Sequence, residues 1–398
     1  MRLLSFLLGM LLCYLAAADN ALPRHTQQLT VDGEPWLLGV PAGMQLEVLT
    51  DQLDAPRLIT FMPNGDLLSG SRSGHIYRLA PPYTDPQVLV SLDDYPHSLA
   101  WRAGELLIAR TGGLYRAPYS PGQEIIPRDS VELLLALPGG GGHNSRSVAI
   151  GSDGRVYVAL GITGNCSDEY LDDSYAFDDR RGGVLVLDES GKQPVWRPFA
   201  AGLRNPVGFD WHPDTGVLYA SNNGPDHLGY EQPPEYFARL SPGSFHGMPW
   251  FQFDGRRLQR DTCIRKPPPR PATAVSLPAA TFPSRNAPMG VAFVPPAAWG
   301  GQYRGNAIVA LKGSWGTKPA GRAFGDRATR RHPALLMVRF EDGEAKDVVD
   351  LVTGFQRANG ERLARPVGVA FGPDGALYFT SDSHLEGLFR LHLRKPLN

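Results

Sequence analysis

One hairpin pattern recurs six times along this chain, and it limits the possible folds more than any other feature. Each copy is a strand of alternating apolar residues, a turn rich in Pro, Asp and Gly, and a second alternating strand, as in a β-hairpin. The copies begin at Leu58, Ser98, Ser147, Val207, Gly290 and Val367, and the fifth has a longer turn. The apolar residues before the turns are Phe61, Trp101, Ile150, Trp211, Phe293 and Phe371, separated by 40, 49, 61, 82 and 78 residues.

A period of about 40 to 50 residues, with insertions in the later copies, is typical of a β-propeller. One hairpin buries only part of its surface, so six of them around an axis are expected to form one all-β domain, a six-bladed β-propeller. The propeller is predicted from about residue 40 to residue 393, within a single domain of residues 19–398. A strand at Gln45–Leu49 is expected to complete the last blade. A β-sandwich, or seven blades with one blade inside a long gap, are the alternatives.

The first 18 residues have the composition of a secretory signal peptide. One Arg precedes an apolar run of roughly a dozen residues, and Ala16-Ala17-Ala18 follows as a small-residue cleavage site. The run is too short to span a bilayer. We therefore expect a periplasmic or secreted protein with no membrane span. The mature chain keeps Cys166 and Cys263, which are predicted to form one disulfide in an oxidising compartment, the alternative being two separately buried thiols.

Charge is placed at particular positions and is not gathered in blocks. The formal net charge is −1 and no basic run is present, which argues against a nucleic-acid partner. In a propeller, the residue just before each innermost strand lies at one rim of the central channel. The six copies place polar or cationic residues there: Arg57, His97, His143, Arg204 with Asn205, Asn286 and Arg365. Their convergence predicts a net positive pocket suited to an anionic small molecule.

Two of the charged or titratable residues stand out by their local sequence. His143 follows four consecutive glycines, residues 139–142, which let the backbone pass close to the pocket. A histidine is neutral and basic near pH 7 after modest tuning, so His143 is a candidate general base. Lys312 lies inside the apolar run VALKGSW, where a charge is costly unless it is paired. Its position favours an anionic ligand over a structural role.

Several motifs resemble those of the glucose/sorbosone dehydrogenase family, the soluble quinoproteins that use pyrroloquinoline quinone (PQQ) on a six-bladed propeller. The resemblance extends over about residues 40–393 and is closer to the sorbosone-type branch. It lies in His143 and in five short motifs: GLRNP at 202–206, NGPD at 223–226, APMG at 287–290, KGSW at 312–315 and RPVG at 365–368.

The resemblance implies a cofactor site for the three carboxylates and the ring of PQQ. Lys312 and Arg365 would bind the carboxylates, the first as a point charge and the second as a planar fork. Arg204 would face the quinone oxygens and stabilise the negative charge that develops there on reduction. Asn205 would hydrogen-bond the cofactor.

The resemblance also implies a calcium ion and a proton acceptor. Ca²⁺ would be held by the backbone carbonyls of Gly224 and Pro225, with the cofactor and waters completing a shell of oxygen ligands. His143 would remove the substrate proton while hydride leaves carbon. Two positions depart from the soluble glucose enzyme. Gly142 stands where that enzyme has an Asp before the histidine, and Asp94–His97 stands where it has a Gln, with His97 a candidate replacement.

These implications predict a dehydrogenase that oxidises a sugar or a related alcohol or aldehyde and passes electrons to a separate cytochrome or quinone. No CxxCH motif for covalent haem is present. A calcium-dependent propeller lactonase and a non-catalytic glycan-binding propeller are the alternatives. A lactonase needs carboxylates and Asn side chains on the axis, whereas the predicted rim is cationic. The segment 229–250 is a candidate substrate wall, with four aromatic residues as possible sugar-stacking surfaces: Tyr230, Tyr236, Phe245 and Trp250.

Overall fold

Six mainly antiparallel sheets arranged around one axis contain most of the strands in the computed structural model, which describes residues 21–394. The chain begins with β1 (Arg24–Val31), β2 (Glu34–Pro41) and β3 (Met44–Thr50). Blade 1 contains β4 (Pro56–Phe61), β5 (Leu67–Ser71), β6 (His75–Leu79) and β7 (Gln87–Ser91). Blade 2 contains β8 (Ser98–Arg102), β9 (Glu105–Arg110), β10 (Gly113–Pro118) and β11 (Glu132–Ala136).

The third and fourth blades carry most of the added segments. Blade 3 contains β12 (Arg146–Ile150), β13 (Val156–Leu160), β14 (Gly183–Asp188) and β15 (Val195–Ala201). Blade 4 begins with β16 (Pro206–Trp211), β17 (Leu218–Asn222) and β18 (Glu235–Leu240). Next come β19 (Ser244–Phe245), which extends blade 3 in parallel, the hairpin β20 (Phe251–Phe253) and β21 (Leu258–Arg260), and β22 (Ala280–Phe282), which completes blade 4.

Blades 5 and 6 close the ring. Blade 5 contains β23 (Pro288–Phe293), β24 (Ala307–Leu311), β25 (Ala334–Glu341) and β26 (Glu344–Val352), and blade 6 contains β27 (Ala364–Phe371), β28 (Leu377–His384) and β29 (Gly387–Leu393). Short 3₁₀ turns lie at Arg128–Ser130, Phe177–Asp179, Ala272–Ala274, Ala298–Gly301 and Arg327–Thr329. The predicted all-β, six-bladed propeller is confirmed, and in residues 21–394 neither long gap holds a seventh blade.

Strand β3 completes blade 6, as the sequence predicts. It pairs antiparallel with β29, placing Leu46 opposite Leu391, and both side chains are buried. The β1–β2 hairpin lies outside the six blades and is attached to this closure, because the Gln27 side chain donates to the Leu46 carbonyl at 2.6 Å and accepts from its N–H at 2.9 Å. The first and last parts of the propeller are thereby joined in one sheet.

The inner strands of successive blades approach closely because small residues line them. Gly208, Gly290 and Gly368 occupy equivalent positions, and a Cβ there would lie 2.3, 2.6 and 2.4 Å from a backbone oxygen of the next inner strand. Hydroxyl groups add links between blades: Ser221 donates to the Met289 carbonyl and Thr380 to the Arg57 carbonyl, each at 2.6 Å. These contacts fix the inner strands, and therefore the residues at their ends, relative to one another.

The predicted signal peptide, residues 1–18, lies outside the described residues. From residue 21 to residue 394, no helix has the length and apolar composition needed to cross a membrane.

Candidate active site

The residues predicted at the rim, apart from Asn286, lie in two groups that are in contact. The first, the lysine cluster, consists of Arg57, His97, Lys312, Arg365 and Asp382. The second, the histidine cluster, consists of His143, Asn165, Arg204, Asn205 and Asp226. Arg146 connects them, because its main-chain carbonyl accepts from His97 Nδ1 at 3.1 Å and its guanidinium donates to the His143 carbonyl at 2.9 Å.

His143 is held in one tautomer. Its Nδ1 lies 2.6 Å from the Ile162 carbonyl oxygen. Because a carbonyl only accepts, Nδ1 carries the hydrogen and Nε2 keeps its lone pair. Burial lowers the pKa of His143 to about 4, with a further contribution from the Arg204 guanidinium. The imidazole is therefore neutral at pH 7 with Nε2 free to accept a proton, as a general base requires.

The glycine run before His143 is ordered by two buried arginines that sequence reasoning missed. The Arg181 guanidinium donates to the carbonyls of Gly139, Gly141 and His143, at 3.1, 3.2 and 3.0 Å. Arg146 donates to the Pro138 carbonyl at 2.7 Å as well as to His143. The signal in the sequence is that Arg146 begins one apolar strand and Arg181 shortly precedes another. A charged side chain at such a position needs a partner. Main-chain carbonyls of the loop supply those partners, at Pro138, Gly139, Gly141 and His143.

Two glycines are required by the close approach around His143. Gly142 has φ of +75°, and a Cβ there would lie 1.9 Å from the Thr163 carbonyl oxygen. A Cβ on Gly161 would lie 2.6 Å from the His143 Cβ and 2.5 Å from Asn205 Oδ1. No side chain fits at 142, so the acidic residue that precedes the histidine in the soluble glucose enzyme has no room in this backbone.

Arg204 is buried and partly engaged. Its Nη2 donates to Asn165 Oδ1 at 2.8 Å and to Asp226 Oδ2 at 3.2 Å, and Nη1 lies 3.4 Å from the Asn223 carbonyl. Arg285 shares the Asp226 carboxylate. Burial lowers the pKa of Arg204, while Asp226 opposes the shift. Within residues 21–394, the Arg204 Nε–H and the neighbouring Asn205 Oδ1 have no hydrogen-bond partner.

Lys312 has a carboxylate of the chain itself as a partner, so the sequence-based preference for an anionic ligand over a structural role did not anticipate this pairing. Lys312 Nζ lies 2.5 Å from Asp382 Oδ2, and Arg57 donates to the same oxygen. Burial lowers the pKa of Lys312 to about 7, helped by Arg57 and opposed by Asp382. Burial by itself would raise the pKa of Asp382, but Arg57 and Lys312 lower it.

Positive charge still exceeds negative charge in the lysine cluster. Arg365 donates through Nε to the Lys312 carbonyl at 2.9 Å and through Nη2 to the Gly313 carbonyl at 3.0 Å, so it is bound by neutral groups. Two arginines and one lysine thus surround one carboxylate, and the arginines alone outnumber it. In the described part of the chain, Asp382 Oδ1, Arg57 Nε and the nearby Asn286 Oδ1 are buried without partners.

His97 lies behind the pocket wall. It is 0% exposed, its Nδ1 donates to Arg146, and its Nε2 lies 3.3 Å from Arg57 Nη2. Burial and the Arg57 charge lower its pKa, so it is neutral and accepts from Arg57. His97 therefore orients Arg57. It does not present a free nitrogen to a substrate in the way a replacement for the glutamine would.

Gly224 and Pro225, the predicted calcium ligands, are buried beside the histidine cluster. Among the described residues, no donor bonds to either carbonyl oxygen. The Gly224 N–H donates to the Glu235 carboxylate, which sequence reasoning missed. Burial raises the pKa of Glu235 to about 7, partly offset by the Gly224 N–H and by Arg204. Both carbonyl oxygens are without a described donor, and carbonyl oxygens are among the ligands that calcium accepts.

The prediction that segment 229–250 forms an aromatic wall for the substrate is wrong. Tyr230, Tyr236, Phe245 and Trp250 are all buried, and Trp250 and Phe245 belong to the core between blades. By contrast with these four buried residues, Trp315, three residues after Lys312, is 50% exposed. Exposure could not be read from the aromatic residues alone, because core and surface aromatics share the same local sequence features.

The two cysteines meet but are not bonded. Cys166, in the loop after β13, and Cys263, after β21, are half-buried thiols whose sulfur atoms lie within 4.8 Å of each other and of His227. A disulfide needs about 2.05 Å between sulfurs. The expected proximity is present, and the predicted disulfide is absent from these described residues.

Comparison with known proteins agrees with this architecture. The glucose/sorbosone dehydrogenase family model matches residues 128–390. An uncharacterized protein of Borreliella burgdorferi is 22% identical over 358 residues, covering 87% of this chain and 88% of that protein.

Solved structures share the fold, among them the following two. The holo form of the pyranose dehydrogenase PQQ domain from Coprinopsis cinerea has a TM-score of 0.69 and 18% identity, covering 92% of this chain and 98% of that one. A calcium structure of a Trichoderma reesei carbohydrate-active enzyme of family AA12 has a TM-score of 0.70 and 18% identity, covering 95% and 100%. Because the family model covers more than half of the chain, this protein belongs to the glucose/sorbosone dehydrogenase family and is a sugar dehydrogenase in general class.

Proposed function

We propose that this protein is a PQQ- and calcium-dependent dehydrogenase that oxidises a sugar or a related alcohol or aldehyde and passes the electrons to a separate cytochrome or quinone. The observation that carries the proposal is the excess of buried positive charge in the lysine cluster. Arg57, Lys312 and Arg365 surround the single carboxylate of Asp382. Buried cations are costly unless anions accompany them, and the carboxylates of PQQ would supply those anions.

The free polar atoms of both clusters suit a planar, acidic cofactor lying between them. Lys312 and Arg365 would hold its carboxylates, and Arg57 would add a third cation. On the other side, the Arg204 Nε–H and Asn205 Oδ1 are buried and unpaired in residues 21–394. The Arg204 Nε–H would donate a hydrogen bond to the ring system of the cofactor, and Asn205 Oδ1 would accept one from it. The Coprinopsis cinerea relative, described as a PQQ domain, supports this choice of cofactor.

Calcium would lie against the carbonyl oxygens of Gly224 and Pro225. These oxygens are hard ligands, and no described donor uses them. The relative from Trichoderma reesei, described as a calcium structure, supports the choice of ion. Because Arg204 Nη1 lies 3.4 Å from the carbonyl of Asn223, the residue before Gly224, the ion would lie close to the histidine cluster.

His143 would act as the general base. When bound, the quinone supplies a hydride acceptor for the substrate carbon. His143 Nε2 would take the hydroxyl proton, and the Ile162 carbonyl would hold the imidazole and stabilise its charge through Nδ1. Arg204 would donate toward the negative charge that develops in the pocket.

The lactonase alternative is disfavoured by the state of the carboxylates. Asp382 is paired with Arg57 and Lys312, and Asp226 is paired with Arg204 and Arg285. Each carboxylate is already neutralised by two cationic side chains, so neither offers uncompensated negative charge to an ion on the axis. The proposal also includes export to the periplasm or out of the cell. This part of it rests only on the predicted signal peptide, residues 1–18.

The test is reconstitution of the purified protein with PQQ and Ca²⁺, followed by absorption spectra before and after candidate sugars are added. We expect saturable quinone binding that depends on calcium, and reduction of the quinone by at least one sugar. Protein with quinone but without calcium is the matched control. Binding without reduction by any sugar would favour a non-catalytic glycan-binding propeller. The absence of saturable quinone binding would refute the proposed cofactor.

A further inference from the structure

A cluster of metal-binding side chains lies beside the candidate active site and has no part in the proposed reaction. Cys166 follows β13, His227 follows β17 and Cys263 follows β21, so three separate segments contribute. The two sulfur atoms and one imidazole nitrogen all lie within 4.8 Å of one another, with Cys166 Sγ 3.9 Å from His227 Nδ1.

The histidine is oriented as a ligand. His227 Nε2 lies 3.0 and 3.2 Å from the two carboxylate oxygens of Asp261, so Nε2 carries a hydrogen and Nδ1, on the side of Cys166, is the nitrogen available to a metal ion. Asp261 is itself buried and fixed by the Gln252 side chain at 3.1 Å and by the Cys263 N–H at 3.0 Å. A carboxylate that orients an imidazole from behind is the usual support of a metal-binding histidine.

We propose that Cys166, Cys263 and His227 bind a thiophilic divalent cation of the zinc type. Zinc takes thiolate and imidazole ligands at about 2.3 and 2.0–2.1 Å, which puts tetrahedral ligand atoms roughly 3.5–3.8 Å apart. The observed spacing needs only a shift of about 1 Å or less to match it. Binding releases the two thiol protons to solvent, and the two thiolates neutralise the ion. Water completes the fourth position, because His227 is exposed.

A disulfide explains the cluster less well. It would use both sulfur atoms and leave the imidazole, which Asp261 orients toward them, without a partner. The metal uses all three groups and the carboxylate behind them.

The location gives the metal a positioning effect on the histidine cluster. Asn165 and Asp226, which bind the Arg204 guanidinium, directly precede Cys166 and His227 in the chain. An ion that fixes Cys166 and His227 would therefore fix both oxygen partners of Arg204.

The test is the metal content of the mature chain, residues 19–398, which holds only Cys166 and Cys263, purified without chelators and measured by mass spectrometry alongside a thiol titration of denatured, non-reduced material. We expect one zinc-type ion per chain and two titratable thiols. Cys166→Ser, Cys263→Ser and His227→Ala should each lose the ion, and Asp261→Asn should bind it about 10–100-fold more weakly. His75→Ala, on β6 of blade 1, is the matched control and should keep the ion.

Added Co²⁺ serves as a second readout, because thiolate ligation gives sulfur-to-cobalt charge-transfer absorption that an aqueous ion lacks. We expect this band in wild type and in His75→Ala, and not in either cysteine variant. No titratable thiols, or two thiols with neither bound metal nor the cobalt band, would overturn the site. Retention of the ion in Cys166→Ser would do the same. None of these measurements involves quinone or sugar, so they are independent of the proposed function.

Discussion

At the scale of single residues, one hydrogen bond decides the chemistry open to His143. With Nδ1–H bound to the Ile162 carbonyl, only Nε2 can accept a proton. We predict that His143→Ala lowers single-turnover quinone reduction by about 10²–10⁴-fold, the usual contribution of a general base. Quinone and calcium affinity should stay near wild type. Raising the pH should partly restore the rate, because hydroxide replaces the missing base.

The control for this prediction is Asn144→Ala, the exposed neighbour in the same loop. Holoenzymes should be compared at matched quinone occupancy. In wild type the rate should rise as pH passes about 4, where His143 loses its proton, and then level off. Reduction by His143→Ala within about threefold of wild type would show that His143 is a bystander.

The pairing of Lys312 with Asp382 permits a second residue-scale prediction. Lys312→Ala leaves Asp382 paired with Arg57, so the fold should persist. We predict that Lys312→Ala and Arg365→Ala each weaken quinone binding by about 1.5–3 kcal/mol, as for a lost hydrogen bond to a charged group. Lys318→Ala, an exposed lysine paired with Glu231, is the control. Equal quinone affinity in all three variants and wild type would contradict the assignment of the pocket.

Sequence reasoning at this scale found the cations but not their partners. A lysine in an apolar strand requires a counter-charge, and that much follows from VALKGSW. The counter-charge is Asp382, 70 residues away, and it is reached only through the packing of blade 6 on blade 5. His97 was placed correctly near the rim, but its burial behind Arg57 depends on a neighbouring blade that no local pattern reports.

At the scale of elements, the glycine loop can be tested one position at a time. A Cβ at Gly142 would collide with the Thr163 carbonyl, whereas a Cβ at Gly141 meets nothing within 4 Å. We predict that Gly142→Ala displaces His143, lowers single-turnover quinone reduction and costs about 1–3 kcal/mol of unfolding free energy, and that Gly141→Ala has little effect on either. Equal rates and stabilities for the two variants would mean that the backbone at 142 does not position His143.

Strand β3 allows a matched test of ring closure. Leu46 is buried against blade 6, while Gln45, one position earlier, is only half-buried. We predict that Leu46→Ala lowers the free energy of unfolding by about 2–5 kcal/mol. Gln45→Ala should change it by less than about 0.5 kcal/mol. Chemical denaturation of both variants is the measurement, and equal effects would refute closure through this face of the strand.

The elements themselves were largely predictable, and the insertions were not. Alternation between apolar and polar residues is local, so the six hairpins and the closing strand at Gln45–Leu49 follow from it. The segment after β18 has no such pattern. Its strand β19 pairs with β15 of the preceding blade, and this long-range contact buries Phe245 and Trp250. Their burial made the interpretation as a sugar-binding wall wrong.

At the scale of the whole molecule, buried titratable groups make stability depend on pH in two opposing ways. His246 is buried, which lowers its pKa to about 4. Asp210 lines the central channel, and burial raises its pKa to about 6 despite hydrogen bonds from the Phe293 and Trp211 N–H groups. As pH falls below about 6.5, the unfolded chain protonates His246 first. As pH falls through about 6, the folded chain protonates Asp210 first.

We therefore predict that replacing these two residues changes the pH dependence of stability in opposite directions. Relative to His246→Gln, wild type should lose on the order of 1 kcal/mol of unfolding free energy per pH unit as pH falls from about 6.5 to 4. Relative to Asp210→Asn, wild type should gain stability as pH falls from about 6 to 4, by somewhat less per unit because solvent reaches the channel. Denaturant titrations of the apo-protein over this range measure both slopes. Curves that run parallel for wild type and both variants would show that neither group is perturbed by the fold.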